Sequence, residues 1–568
     1  MTQDSKRNEH GFEYAVLIAA GILALWVVAA ESAALIGGAH RWLPNLSSAF
    51  HGLYGLVSHG NPVSGWSSAD RHDLPSPAVF FIIAALELAT VVVGAWVVKD
   101  RGLLHKSGQD KSQRAPGRPD IKSHLSLTAI RERTSHLRDD INAWKAPPEH
   151  VGLYLGKETT THLGVWAAGD DSILMVGPPG SGKTSNYIVP AIVEAPGAVV
   201  ATSTRDEIVT RTAEYRMAKE HPAWVFAPQM DVDIPGVKTL QWSPLEGCEQ
   251  HLTAITRATS LVQGGAGFGS STTNADFWEH SGIAIMRAYL MAAAVGQRTM
   301  EDVLAWSTAP MSTEPVQILA DHAPAWSREL KQMAQASSNV VGSVWAGVRR
   351  SLDCFADPKV LAACSVGTNF DIADFLEQRG TAYLIGSGTQ QLSVAPLISA
   401  LVEAIAEKAR QPKGRGHLST PMSLILDEAA NIAPLPTLPS LLSDGGGSGI
   451  QVLVVLQSLA QARHRWSPAE MDAMWDASTI KIILAGMSHA QDLEAISKLC
   501  GEIEEIRTSK TTGAGGSGAS EVPQMVPAWT PEQIRGLPTG HALVLHRRLR
   551  PVEIIAQPYW EREGKWGK

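Results

Sequence analysis

Residues 172–185 read Ser-Ile-Leu-Met-Val-Gly-Pro-Pro-Gly-Ser-Gly-Lys-Thr-Ser. The four apolar residues Ile173 to Val176 predict a short buried strand. The next eight, Gly177-Pro178-Pro179-Gly180-Ser181-Gly182-Lys183-Thr184, satisfy the phosphate-loop pattern G-x-x-x-x-G-K-[ST] in full. Such a loop lets backbone N–H groups converge on phosphate oxygens at a helix N-terminus, where the dipole also favours an anion. Lys183 is expected to bridge the β- and γ-phosphates, and the Thr184 hydroxyl to hold Mg²⁺. The stretch from Gly177 through Ser185 is thus the expected grip on ATP, with Mg²⁺ as its ion. A chance glycine-rich turn has no reason to bring strand, loop and helix in this order.

Working outward, apolar runs at Ala198–Ala201 and Trp224–Phe226 continue a strand–helix alternation from about residue 150. A helix is expected from Lys183 to Glu194. Between about 250 and 370 the pattern turns helical: Val341, Val344, Trp345, Val348, Leu352 and Phe355 recur at helical spacing. Trp278, Met286, Tyr289, Leu290 and Ala293 follow it less strictly, and these Met and Trp residues are expected to be core. Strand runs then resume at Ala382–Ile385, Leu424–Leu426, Val452–Leu456 and Ile480–Leu484. The fold class expected is α/β with a parallel sheet, split around an inserted all-α domain.

Leu424-Ile425-Leu426-Asp427-Glu428 is an apolar strand ending in two acids. Asp427 would complete the Mg²⁺ shell opposite Thr184, and Glu428 would orient and polarise an attacking water. An apolar strand followed by an acid is common; paired with the phosphate loop it carries weight. Gln457 ends the next apolar run and is expected to sense the γ-phosphate, a loop or capping role being the alternative. The expected catalytic set is Lys183, Glu428 and Gln457.

The chain has 568 residues, room for about three or four domains. Its 48 Lys+Arg against 56 Asp+Glu give −8, which excludes a generally basic nucleic-acid coat and leaves room for a local channel. Cys248, Cys354, Cys364 and Cys500 form no C-x-x-C pair and are expected to be reduced thiols. Two apolar segments, 14–36 and 78–98, carry one charge each, Glu31 and Glu87, and are long enough to cross a bilayer. A cleaved signal peptide would send the phosphate loop outside, where ATP is scarce. Lys99, Arg101, Lys106, Lys111, Arg114, Arg118 and Lys122 follow the second segment, whereas only Arg41 and Arg71 lie between the two. The positive-inside rule then puts both termini in the cytoplasm, giving a multi-pass protein of the cytoplasmic membrane. Glu87 would face a partner helix or be protonated. Residues 99–122 are expected to be a solvated basic tether near anionic lipid. The glycine-rich runs 264–270 and 512–518 are expected to be flexible connectors.

The ordered set resembles the type IV coupling protein family, the TraG/TraD-like ATPases of conjugation and type IV secretion. The resemblance rests on the two apolar N-terminal segments, the phosphate loop, the helical insertion, and Asp427-Glu428-Ala429-Ala430-Asn431 followed by Gly449-Ile450 and Gln457-Ser458. Gln241-Trp242-Ser243-Pro244, Phe277-Trp278-Glu279 and Gln533-Ile534-Arg535-Gly536-Leu537-Pro538-Thr539-Gly540 also resemble family segments. It implies a RecA-like P-loop NTPase that forms a homo-hexamer at the inner membrane. Its all-α domain would receive a relaxase-bound DNA strand or effector proteins, single- or double-stranded DNA being the nucleic acid, for a type IV secretion channel. The domains expected are a membrane anchor (1–100), a basic linker (101–149), a nucleotide-binding domain in two segments (150–250 and 371–568) and, between those segments, the all-α domain (251–370). Two departures stand out. Ser203-Thr204-Arg205-Asp206-Glu207 replaces a Lys-Gly-Glu-like segment, and the loop Asp444-Gly445-Gly446-Gly447-Ser448-Gly449 lacks an arginine that would reach a neighbouring subunit. Arg463 or Arg465 would have to supply it, or both are solvated surface charges. Two rivals remain: a substrate receptor switched by nucleotide, and an FtsK-like DNA translocase, for which residues 541–568 are too short to be a separate DNA reader.

Overall fold

The computed structural model describes residues 117–562 apart from 139, 266–274, 366–368, 387–390, 412–417, 419, 514–515 and 548, together with scattered positions between 54 and 85. The chain divides into two compact units, Met1–Gln109 and Asp110–Lys568. The second carries the elements below.

Its strands are β1 (Gly152–Glu158), β2 (Gly164–Ala168), β3 (Ile173–Val176), β4 (Val199–Ser203), β5 (Ala223–Phe226), β6 (Lys238–Thr239) and β7 (Thr381–Ile385). There follow β8 (Met422–Leu426), β9 (Ile450–Leu456), β10 (Ile480–Leu484), β11 (Glu502–Gly513), β12 (Gly516–Pro527), β13 (His541–His546) and β14 (Val552–Ile555). Twelve of them form one sheet in the order β2-β1-β14-β13-β10-β3-β9-β8-β4-β7-β5-β6. From β10 to β6 all neighbours run parallel. From β10 through β13, β14 and β1 to β2 they run antiparallel.

The expected parallel sheet is therefore mixed. Strands β3, β4, β5, β7 and β8 are buried at every position. Strands covered by helices on both faces read as unbroken apolar runs, which is why the sequence betrays them. Strand β1 alternates buried with half-buried positions and carries Gly152, Gly156 and Lys157, so no apolar run marks it. Neighbouring side chains in the parallel strands serve opposite faces. Leu174, Val176, Leu424, Leu426, Val452 and Val454 belong to one apolar core, and Ile173, Met175, Ile425, Leu453 and Val455 to the other.

Between β6 and β7 the chain is helical, from His251–Gly264 and Ala275–Val295 to Ile372–Glu377. Tyr289, Trp306 and Trp345 lie in its core, where the Trp345 indole donates to the Tyr289 hydroxyl at 3.0 Å.

Three expectations need correction. The stretch 101–149 is structured from residue 118 onward. Helices Arg118–His124 and Leu127–Leu137 bury Ile121 and Ile130, Ile121 and the intervening Leu125 share a core with strands β1 and β2, and the Trp166 N–H donates to the Leu125 carbonyl at 2.8 Å. Apolar residues four apart outweigh the basic charges around them. The described residues of the glycine run 512–518 belong to a hairpin, β11 with β12, in which Thr512 faces Ser517 and Gly513 faces Gly516. The run 264–270 lies largely outside the described residues. Finally, among the described residues no helix is long and apolar enough to cross a membrane, so the multi-pass membrane localisation does not stand. The expected spans fall outside the described residues, 14–36 wholly and 78–98 except for positions 78, 79, 81, 82 and 85, and Glu87 falls there too.

Candidate nucleotide site

All the expected site residues gather at the C-terminal edge of the parallel strands. The phosphate loop leaves β3, Asp427 and Glu428 leave β8, and Gln457 leaves β9, which lies between the two. In open α/β sheets this edge is where ligands sit.

The phosphate loop starts from a fully buried strand and is pinned by the Gly177 N–H, which donates to the Leu456 carbonyl of β9 at 3.0 Å. Gly180 and Gly182 adopt φ of +78° and +85°, where a side chain is strained. At Gly182 a Cβ would also lie 2.8 Å from the Asn186 amide nitrogen. Pro179 and Gly180 are exposed at the crest, while Lys183 is buried beneath it. The Lys183 ammonium donates to the carbonyls of Gly177 and Pro178, each at 2.8 Å. Burial pulls its pKa down, against the carboxylates of Asp427 and Glu428, which raise it. Ser181 donates to the Pro178 carbonyl at 2.7 Å, and Ser185 to the Gly182 carbonyl at 3.3 Å.

The helix after the loop opens with a wide turn, Thr184–Ile188, before the α-helix Val189–Glu194. In the wide turn the Val189 N–H bonds back to the Thr184 carbonyl. Pro190 supplies the cause: it has no N–H and its ring crowds the carbonyl four residues back. Such wide turns concentrate at functional sites. Proline inside the expected helix 183–194 was the available signal.

Asp427 is buried, and burial, reinforced by Glu428 and opposed by Lys183, pushes its carboxyl up to about 7. One of its oxygens accepts from the Glu428 N–H at 3.1 Å. Its carbonyl accepts from the buried Thr202 hydroxyl at 2.9 Å, a contact the sequence signals only by the two polar residues, Thr202 and Ser203, that end the otherwise apolar β4. Glu428 has φ 51° and ψ 41°, a left-handed backbone. A non-glycine residue held there costs on the order of 1–3 kcal/mol, and such residues cluster at functional sites. Gln457 donates to the Glu428 carboxylate at 2.9 Å. One turn on, Gln461 donates to the Asn431 side chain at 2.6 Å. Gln457 thus orients the acid directly, a role its position in sequence did not specify.

The donor set suits a Mg·nucleotide. A buried carboxyl whose charge is only partly offset, a nearby hydroxyl at Thr184 and an ammonium folded onto the loop are hard oxygen ligands and a cation for phosphate. Among the described residues no group of three His, Cys, Asp or Glu could hold a metal without such phosphates.

Arg463 and Arg465 are not solvated surface charges. Arg463 donates to the buried Asp492 at 2.8 Å. Arg465 donates to the Gly264 carbonyl, and burial draws its pKa down to about 10. The loop 444–449 lies at the opposite edge of the sheet, ahead of β9. A Cβ at Gly446 would stand 2.2 Å from the Asp170 carbonyl oxygen, so backbone packing accounts for that glycine.

Residues 123–564 match the family described as type IV secretory system conjugative DNA transfer. The chain belongs to this family. Among its relatives, the conjugal transfer protein TraG of Agrobacterium fabrum is 22% identical over 365 residues, 61% of this chain and 54% of TraG. The chain thus spans about half the length of that relative. The bacterial conjugative coupling protein TrwBdeltaN70 superposes with a TM-score of 0.55 at 17% identity, covering 76% of this chain and 92% of its own. TrwB with the non-hydrolysable ATP analogue ADPNP and TrwB with ADP and Mg²⁺ give TM-scores of 0.54 and 0.53 at 18% and 17% identity, with the same coverage. The likeness establishes the fold of this family member as that of TrwB.

Proposed function

We propose that this family member is an ATPase that drives DNA, or protein bound to it, into a type IV secretion channel. The observation that carries the ATPase reading is the Gln457–Glu428 hydrogen bond of 2.9 Å, which aims a carboxylate beside the phosphate loop. Glycines 177, 180 and 182 with Lys183 hold the β- and γ-phosphates through backbone N–H groups and the ammonium. Thr184 and Asp427 would hold Mg²⁺, as the ion seen with ADP in TrwB suggests. When bound, the ion neutralises charge developing on the phosphate oxygens. Lys183 leaves the Gly177 and Pro178 carbonyls for the γ-phosphate, and Glu428 accepts a proton from the water it orients. Gln457 fixes Glu428 before any of this and feels whether a γ-phosphate is present.

Membership of a DNA-transfer family supports DNA as cargo, with a relaxase or effector as its protein component. A ring of six subunits would place each site against a neighbour. Glu428→Gln is expected to keep nucleotide affinity while abolishing turnover, and DNA transfer between mating cells is expected to fall to background. Normal transfer by that variant would end the motor reading.

A nucleotide-switched receptor is the second reading, favoured by one observation: Arg463 and Arg465 each donate to a partner within their own chain. Tight ATP binding without turnover would select it. The FtsK-like alternative loses ground because residues 541–555 supply β13 and β14 of the main sheet.

A further inference from the structure

Helix Leu459–Trp466 begins two residues after Gln457 and is capped by Ser458, whose hydroxyl accepts from the Gln461 N–H at 3.2 Å. Three of its side chains tie it to its surroundings. Gln461 donates to Asn431, three residues beyond Glu428. Trp466 donates to the Leu435 carbonyl at 3.0 Å. Arg465, half-buried, donates to the Gly264 carbonyl and lies 3.5 Å from that of Gln263. These are the last two residues of helix His251–Gly264, the element through which the chain enters the helical insertion.

The final carbonyls of a helix have no partner within it, and a cation placed there satisfies them and the negative end of the dipole. The same helix has a second tie to the catalytic edge. The buried Glu403 accepts from Ser260 on that helix, and from the Thr437 N–H and hydroxyl at 3.1 and 2.8 Å, on the segment following Glu428.

We infer that Arg465 is a positioning residue for ATP turnover: it locks the end of helix His251–Gly264 to the helix that follows Gln457, and so sets the angle of Glu428. The helix is 8 residues long, about 12 Å, so Arg465 near its end and Gln457 just before its start are joined by a single short element. Any displacement of the helical insertion that reaches Gly264 is then felt at the carboxylate that orients water. The inference rests on the ATPase reading and assigns Arg465 a role within one subunit, in place of a finger reaching into the next.

The test is a double-mutant cycle on the full chain, reading steady-state ATP turnover together with affinity for a fluorescent ATP analogue. Arg465→Met is expected to lower kcat about tenfold and leave nucleotide affinity within about twofold, the split expected of a misaimed group. Arg465→Lys, which keeps a donor for the carbonyl, is expected to recover most of the loss. Combined with Gln457→Ala, Arg465→Met is expected to add nothing further, because it acts through Gln457. Full additivity, an unchanged kcat in Arg465→Met, or a parallel loss of affinity and kcat would each overturn the inference. If Arg465→Met does not fold, the cycle is run with Arg465→Lys, for which a residual loss of about threefold must again vanish in the Gln457→Ala background. A wild-type chain that binds the analogue without turnover removes the ATPase reading and this inference together, before any variant is compared.

Discussion

On the antiparallel flank, Arg133 reaches Asp170 at 2.7 Å and Asp171 at 3.0 Å, and Arg562 reaches Glu194 at 3.2 Å. Glu158, fully buried at the end of β1, accepts from the N–H groups of Thr160 and Thr161. At the nucleotide edge of the same sheet, Asp427 accepts one hydrogen bond from a neighbouring N–H, and Lys183 is held by carbonyls instead of a carboxylate. Glu428 stands on a left-handed backbone and its carboxylate is met by the Gln457 amide. Both regions bury ionisable groups. The flank pairs Arg133 and Arg562 with acids; at the nucleotide edge Lys183 and Asp427 hydrogen-bond to backbone groups instead. Unspent charge costs stability, and it persists where a ligand supplies the missing partner.

The comparison breaks most easily at Glu428. Glu428→Gln keeps the shape and the Gln457 contact of the site but removes the base, so turnover is expected to fall about 10²–10⁴-fold with nucleotide affinity retained. A stopped-flow phosphate-release assay checks it. At the flank the effect should reverse in kind. Arg133→Met strands the buried Asp171, whose carboxyl is already pushed up by burial against the pull of Arg133, and is expected to cost about 3 kcal/mol in urea unfolding. Turnover per folded molecule should not change.

A smaller effect lies in pH. His546 ends β13 on the flank and is buried; burial, then Arg547, pulls its pKa down to about 4. Arg133, His124 and Lys481 act in the same direction. A histidine depressed in the folded state gives stability that is complete above its unfolded pKa and lost as pH falls toward the folded value. Between pH 7 and pH 5 the loss is expected to be about 2 kcal/mol, and His546→Leu should flatten that slope in unfolding curves taken at the two pH values. The smallest change is Gln457→Ala, expected to lower kcat about tenfold while the melting temperature holds. A large loss of stability there would erase the distinction between the two regions.

Much of the nucleotide edge is legible before any coordinates. The phosphate loop is contiguous, and the acids close an unbroken apolar run, so Lys183, Thr184, Asp427 and Glu428 announce themselves. The flank does not. Glu158, Asp171, Arg133 and Arg562 are ordinary charged residues in sequence, and Asp171 and Arg133 lie 38 positions apart. The same blindness made 101–149 look like a basic linker, because Ile121 and Leu125 are thinly spread among charges. It also made Arg465 look like surface.

The amino-acid sequence by itself determined the ligand chemistry and the run of parallel strands, because both depend on neighbours along the chain: consecutive glycines, consecutive apolar residues, an acid directly after them. Only the tertiary structure decided that β9 lies between β3 and β8, which brings Gln457 onto Glu428. Only the fold turned Arg465 inward onto Gly264 and extended the sheet with four antiparallel strands. Those contacts join residues far apart in sequence, and which of them form is set by how whole strands and helices pack, information that no local pattern of residues carries.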